Sequence, residues 1–152
     1  MRSISIWSLG VVLVGSTVMV AQEPPVKMGL WESNSVVDNG DGSPVKAKMR
    51  SCITTADWEK IVQGDMKQHP GCKNSMAKTA TGYSFDVNCS NPKMTVQAHG
   101  TTHIVDAEHT QSEMHMTTTF QGKTNNVVTR SEGHFVSASC GAVQPGSPQE
   151  IE

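Results

Sequence analysis

Several things are scarce in this chain, and each scarcity excludes something. Aromatic residues are 5% of the 152, with three Trp, one Tyr and three Phe, so any core is thin in large rings. Charged residues reach only 17%, and the formal charge is −2 with a pI near 6.3. Without a basic excess there is no field to gather phosphate backbones, which argues against a nucleic-acid partner. No Cys-x-x-Cys occurs, so neither a redox-active dithiol nor a zinc ribbon is indicated. Gly-x-Ser-x-Gly, His-Glu-x-x-His, Ser-x-x-Lys and the phosphate loop are likewise missing. The acids single out no glycosidase pair. These absences point away from an enzyme, imply no cofactor, and leave a hydrolase only as a distant third reading. Beyond residue 21 no apolar run is long enough to span a bilayer as a helix.

What is present begins with an address. Met1-Arg2 gives a short positive start, Ile4 through Val20 is uncharged, and Ala21 precedes polar Gln22-Glu23 and Pro24-Pro25. Residues 1–21 read as an export signal with cleavage after Ala21; the alternative is an uncleaved anchor. No cysteine follows closely, which speaks against a lipid-anchored lipoprotein. Losing Arg2 with the signal leaves 11 basic against 14 acidic side chains. The remainder divides into a single exported domain over 22–140 and a Pro/Gly-rich tail over 141–152 that reads as disordered. The expected location is periplasmic or secreted, with no membrane contact after cleavage.

The pattern along the domain is mainly β. Residues 26–37 and 45–53 alternate polar and apolar positions around the turn-rich Asp38-Asn39-Gly40-Asp41-Gly42-Ser43-Pro44, predicting a long hairpin. In the second segment Val45, Ala47 and Met49 fall on one face and Lys46, Lys48 and Arg50 on the other. One short helix is expected at about 55–63, capped by Thr54 with Asp57 three residues on, its Trp58, Ile61 and Val62 on one side and Gly64 as a stop. Further strands are expected at 72–79, 83–90, 93–104, 109–121 and 126–139. Together they predict a single antiparallel curved sheet, a meander or partly closed barrel.

The four cysteines lie at 52, 72, 89 and 140. An even number in an exported chain predicts two disulfides. Folding 72–79 onto 83–90 about Thr81-Gly82 sets Cys72 opposite Cys89, which leaves Cys52 with Cys140. On loop entropy the two closures contribute about 3 and about 4–5 kcal/mol.

At this point the chain resembles a known family. Gly29-Leu30-Trp31-Glu32, the Cys52-Ile53-Thr54 step into the helix, Gly71-Cys72, Cys89-Ser90 and the Met- and Thr-rich MHMTTTFQG segment are similar to the bacterial family called domain of unknown function 3617. The resemblance runs over roughly 26–140. It implies a small exported protein and brings no catalytic residues with it.

The histidines are the most suggestive side chains. His99, His103, His109 and His115 stand opposite in phase to the apolar positions of their strands. A turn at Ala107 sets His99 against His115, with His103 diagonal to His109 and Glu113. A turn near Lys123-Thr124 would add Glu132 beside His115 and His134 beside Glu113. Such a patch could bind Zn²⁺ or Cu²⁺. His99 and His103 lie about 13 Å apart along one strand at roughly 3.3 Å per residue, so any site must form across strands. The plainer reading is a solvated polar face that carries histidines. Met114 and Met116 point away from His115 and read as core fillers. The Asp38–Gly42 turn fails the calcium-loop spacing. Together these residues predict a non-enzymatic binding or structural domain. Its partner is expected to be a small apolar molecule or an envelope protein; metal binding through the histidine patch is the alternative.

Overall fold

The computed structural model describes residues 25–62 and 70–151; the export signal with its cleavage site and the helix stop at Gly64 lie outside them. Eight strands form one sheet: β1 (Gly29–Asp38), β2 (Val45–Ile53), β3 (Cys72–Lys78), β4 (Gly82–Asn91), β5 (Met94–Asp106), β6 (His109–Phe120), β7 (Lys123–Ser137) and β8 (Gln149–Ile151). Among the described residues there is one helix, α1 (Thr55–Val62), which follows β2. The spatial order is β3-β4-β5-β6-β7-β1-β2-β8, all neighbours antiparallel. The middle of the chain is thus a five-strand meander. The N-terminal hairpin does not continue it in sequence order but docks β1 against β7. β3 and β8 are unpaired on their outer sides, so the sheet is open and not a barrel.

Turn chemistry fixes the hairpins. Asp38 Oδ1 accepts from the Gly40 N–H at 2.8 Å and Asp41 Oδ1 from the Ser43 N–H at 2.9 Å, shaping the β1–β2 connection. Asn91 Oδ1 accepts from the N–H groups of Lys93 and Met94, both at 2.9 Å, between β4 and β5. β6 and β7 are joined by Gln121-Gly122, with φ 49° and 78°. Both values are positive, the requirement of the two-residue turn whose twist suits a hairpin. This turn lies earlier than the expected Lys123-Thr124, and the register of β7 moves with it. Two β-bulges, at Val105 in β5 and Val136 in β7, leave those valines outside the ladders and 51% and 44% exposed.

Alternation sorts the side chains onto two faces. One carries Trp31, Val127, Phe135, Met114, Met116, Val96, Ala98 and Phe85 among serines and threonines. The other carries the lysines and arginine of β2, the histidines and most of the acids. Two of the aromatic rings sit over glycines. A Cβ added to Gly100 would meet the Phe85 ring at 2.2 Å, so that ring lies flat over the glycine opposite it. Trp31 lies near Gly133 in the same way.

The core is divided into small local clusters. Trp31, 4% exposed, donates its indole N–H to the Lys27 carbonyl at 2.9 Å and meets Phe135 edge-on at 6.1 Å between centroids. At the other end of the sheet, α1 starts where predicted: Thr54 Oγ1 accepts from the Asp57 N–H at 3.2 Å and donates to the Asp57 carboxylate. Trp58 then stands edge-on to Tyr83 at 5.5 Å, anchoring the helix to the sheet.

The disulfides are Cys72–Cys89, opposed in register between β3 and β4, and Cys52–Cys140. The second brings the C-terminal segment back to β2, where Val143 is buried and Pro145 bridges Cys52. The tail expected to be disordered from residue 141 instead ends in β8, paired with Lys48–Arg50 of β2. A covalent tether and one buried valine order a segment whose composition alone is turn-like.

Candidate functional site

The sheet offers two chemically different surfaces. On the polar face the strand registers place all five described histidines on one side. His99 of β5 is directly opposite His115 of β6, as expected. His103 faces Gln111, diagonal to His109 and Glu113. The earlier β6–β7 turn changes the rest of the expected patch. Glu132 pairs with Gln111 and with Asn34, and His134 pairs with His109 and with Glu32. Glu132 therefore does not stand beside His115, and His134 does not stand beside Glu113.

Each of four histidines has its own carboxylate. His99 Nδ1 is 2.8 Å from Asp86 Oδ1, His115 Nε2 is 2.7 Å from Glu113 Oε1, and His109 Nδ1 is 2.9 Å from Asp106 Oδ1. His134 Nε2 lies 3.9 Å from Glu32 Oε1. The hydrogen bond from His115, then that from Arg130 Nε at 2.7 Å, hold the Glu113 carboxyl below its ordinary range. The Glu108 backbone N–H, followed by His109, lowers Asp106 in the same way. No three His, Cys, Asp or Glu side chains among the described residues converge on one point.

Sequence reasoning passed over Glu32. It is the one charged residue buried in the sheet, 7% exposed. Lys48 Nζ lies 2.6 Å from one carboxylate oxygen and Arg50 Nε 3.1 Å from the other. Contact with Lys48 is the largest influence keeping its carboxyl below the usual glutamate value; burial opposes it, and Arg50 adds to the lowering. The signal was present in the sequence: the basic alternation of β2 needs an acid on the facing strand, and Glu32 is opposite Arg50.

Clefts open on this polar side, two of them across its centre and the β1–β2–β8 end. One of about 850 Å³ is lined by Asn34, Val36, Lys46, Lys48 and Ile151 among others. The other, about 580 Å³, crosses β5, β6, β7 and β1 between His103, Gln111, Arg130 and Glu132.

The opposite face is built differently. Its central positions on β5, β6 and β7 are uncharged; among the described residues α1 covers it at the β3–β4 end, and Val26 and Lys27 cover the corner at Trp31 and Phe135. No described side chain is completely shielded from solvent. A row of four hydroxyls crosses it: Ser35, Ser131, Ser112 and Thr102 are successive cross-strand neighbours. They are already joined in pairs, Ser35 to Ser131 at 2.7 Å and Thr102 to Ser112 at 3.0 Å.

The fold and its surfaces define a class: an open, disulfide-tied antiparallel β-domain with one ion-paired histidine face and one apolar face uncovered at its centre. The chain belongs to the family described as protein of unknown function DUF3617, whose model matches residues 26–140 and takes in both disulfides. No curated protein and no solved structure matches it.

Proposed function

We propose that this protein is an exported, periplasmic or secreted binding domain that works by docking its apolar face against another protein of the envelope. One observation carries the reading: an eight-stranded sheet presents an apolar face that the described residues cover at two ends alone, by α1 and by Val26 and Lys27, leaving its centre open. Sheets are stable as layers when that face is packed against a second layer. A small apolar molecule held inside the domain is less well supported, because the sheet does not close. Two disulfides and the apolar N-terminal run support export. A photo-crosslinking residue at position 116, on the apolar face, should give adducts in the cell envelope. One at position 115, its neighbour on the opposite face, should give none. Equal labelling from both, or none from either, refutes the assignment.

The direct opposition of His99 and His115 supports a second reading, Zn²⁺ or Cu²⁺ bound by those two imidazoles with Glu113 or Asp86 as the oxygen ligand. Glu132 and His134 lie one or more rows away and do not join that set. Metal titration of wild type and of a His99→Ala/His115→Ala variant decides it; equal affinity ends this reading.

A further inference from the structure

We propose that the missing second layer is another copy of this chain, two molecules packing apolar face to apolar face about a two-fold axis as a two-sheet sandwich. The inference rests on the docking face assigned above and seats on it a second copy of this chain in place of a different envelope protein.

Size is the first support. At roughly 3.3 Å per residue and 4.8 Å between strands, the eight strands present a face of about 1,200 Å². α1, about 12 Å long and about 10 Å wide, takes about 120 Å² of it, and Val26 and Lys27 take the corner at Trp31 and Phe135; the rest is on the order of the 800 Å² per partner in a stable interface.

Self-complementarity is the second. In a two-fold interface each side chain meets the same surface it belongs to. The centre of this face, around Ala98, Met114, Met116 and Thr129, carries no charge. The charged residues on it, Lys78, Lys123 and Glu150, stand at strand ends or on the edge strand, and Lys27, paired with Glu108, lies over Phe135 at one corner. Two copies can therefore meet without opposing like charges. The histidine face is the poorer candidate, because it carries the ion pairs of Glu32, Asp86, Asp106 and Glu113, which such a contact would strip of water.

Dehydration is the third. Burying a hydroxyl is costly chiefly when it has no partner. Four hydroxyls in a row across the apolar face are already bonded in two pairs, so a second sheet strands them less; Ser33, Thr110, Thr118, Thr129 and the unpartnered Asn74 Oδ1 on the same face would take their partners from the facing copy. Methionines at the centre adapt their shape to whatever packs on them. At the rim, Val45, Met94 and Phe120 are 56%, 37% and 48% exposed in the single chain and would gain cover.

The test is sedimentation velocity on the purified, oxidised protein over micromolar concentrations, beside two variants altered at adjacent positions. Wild type should sediment at twice the mass expected for one chain. Met116→Glu buries a charge in each copy and should weaken dimerisation by at least about 100-fold, while His115→Glu should leave it intact. Circular dichroism and retention of both disulfides check that each variant folds. Should Met116→Glu fail to fold, p-benzoylphenylalanine in place of Met116 replaces it, and must give a covalent dimer in the purified protein. A dimer broken by His115→Glu, or indifferent to both substitutions, overturns the proposal. A monomer that crosslinks to other envelope molecules from position 116 overturns it while sparing the docking face; a monomer that crosslinks to nothing removes both.

Discussion

Removing the Cys52–Cys140 bridge should destabilise the protein more than removing Cys72–Cys89, by an amount fixed by chain length. The two bridges span 88 and 17 residues. In the chain-entropy description, closing loops of those lengths restricts the unfolded chain by about 4.6 and about 3.1 kcal/mol respectively. The difference, about 1.5 kcal/mol, depends only on the ratio of lengths, so any constant in the description cancels. Native packing acts in the same direction, since Cys52 is 6% exposed and Val143, drawn in beside the second bridge, is 8% exposed. The perturbations are Cys52→Ala/Cys140→Ala and Cys72→Ala/Cys89→Ala; alanine avoids leaving an unbonded hydroxyl at a buried site. Equilibrium urea unfolding at neutral pH, with slopes compared between variants, gives both losses. Equal costs, or a larger cost at Cys72–Cys89, would refute the reasoning and show that native contacts outweigh the unfolded chain in setting these energies.

Acid should weaken the fold through three carboxylates. Glu32, Glu113 and Asp106 titrate below their ordinary values, so the stability they supply is present above about 4.5 and is lost as pH falls through the lowered values. The urea midpoint should therefore decline below pH 4.5, and Glu32→Gln should flatten that decline; an unchanged slope would dismiss the Lys48–Glu32–Arg50 cluster as its source. Two glycines should respond differently to alanine. A Cβ on Gly82 would stand 1.9 Å from the Thr102 carbonyl oxygen, whereas one on Gly40 meets nothing within 4 Å and suffers only its positive φ of 76°. Gly82→Ala should cost about 3 kcal/mol or more and Gly40→Ala about 1 kcal/mol, measured by denaturant unfolding.

Local pattern in the sequence was enough to place most strands, the helix cap and both disulfides. The Cys72–Cys89 pairing followed from a short hairpin whose centre was marked by turn residues, and the His99–His115 opposition from the turn at Ala107. The β6–β7 register failed for a specific reason. The turn uses Gln121 in a left-handed conformation, which a non-glycine residue seldom adopts, so the cue at Gly122 was outweighed by the polar residues after it. That shift alone moved Glu132 and His134 out of the imagined metal patch. The position of β1 between β7 and β2 had no local signature, because it depends on pairing between distant parts of the chain. β8 was hidden for a related reason: three residues in a Pro- and Gly-rich context become a strand only because Cys140 is bonded to Cys52.

The placement of the N-terminal hairpin imposes an order on how the molecule can be assembled. Trp31 finds Phe135 and Gly133 only once the last long ribbon of the chain exists, about a hundred positions later. Non-local pairings of this kind are slow to form. The 72–89 crosslink needs nothing outside its own hairpin and can close early. The 52–140 crosslink, with the final short ribbon it secures, must come last, and it locks in an arrangement that until then is held by non-covalent contacts alone.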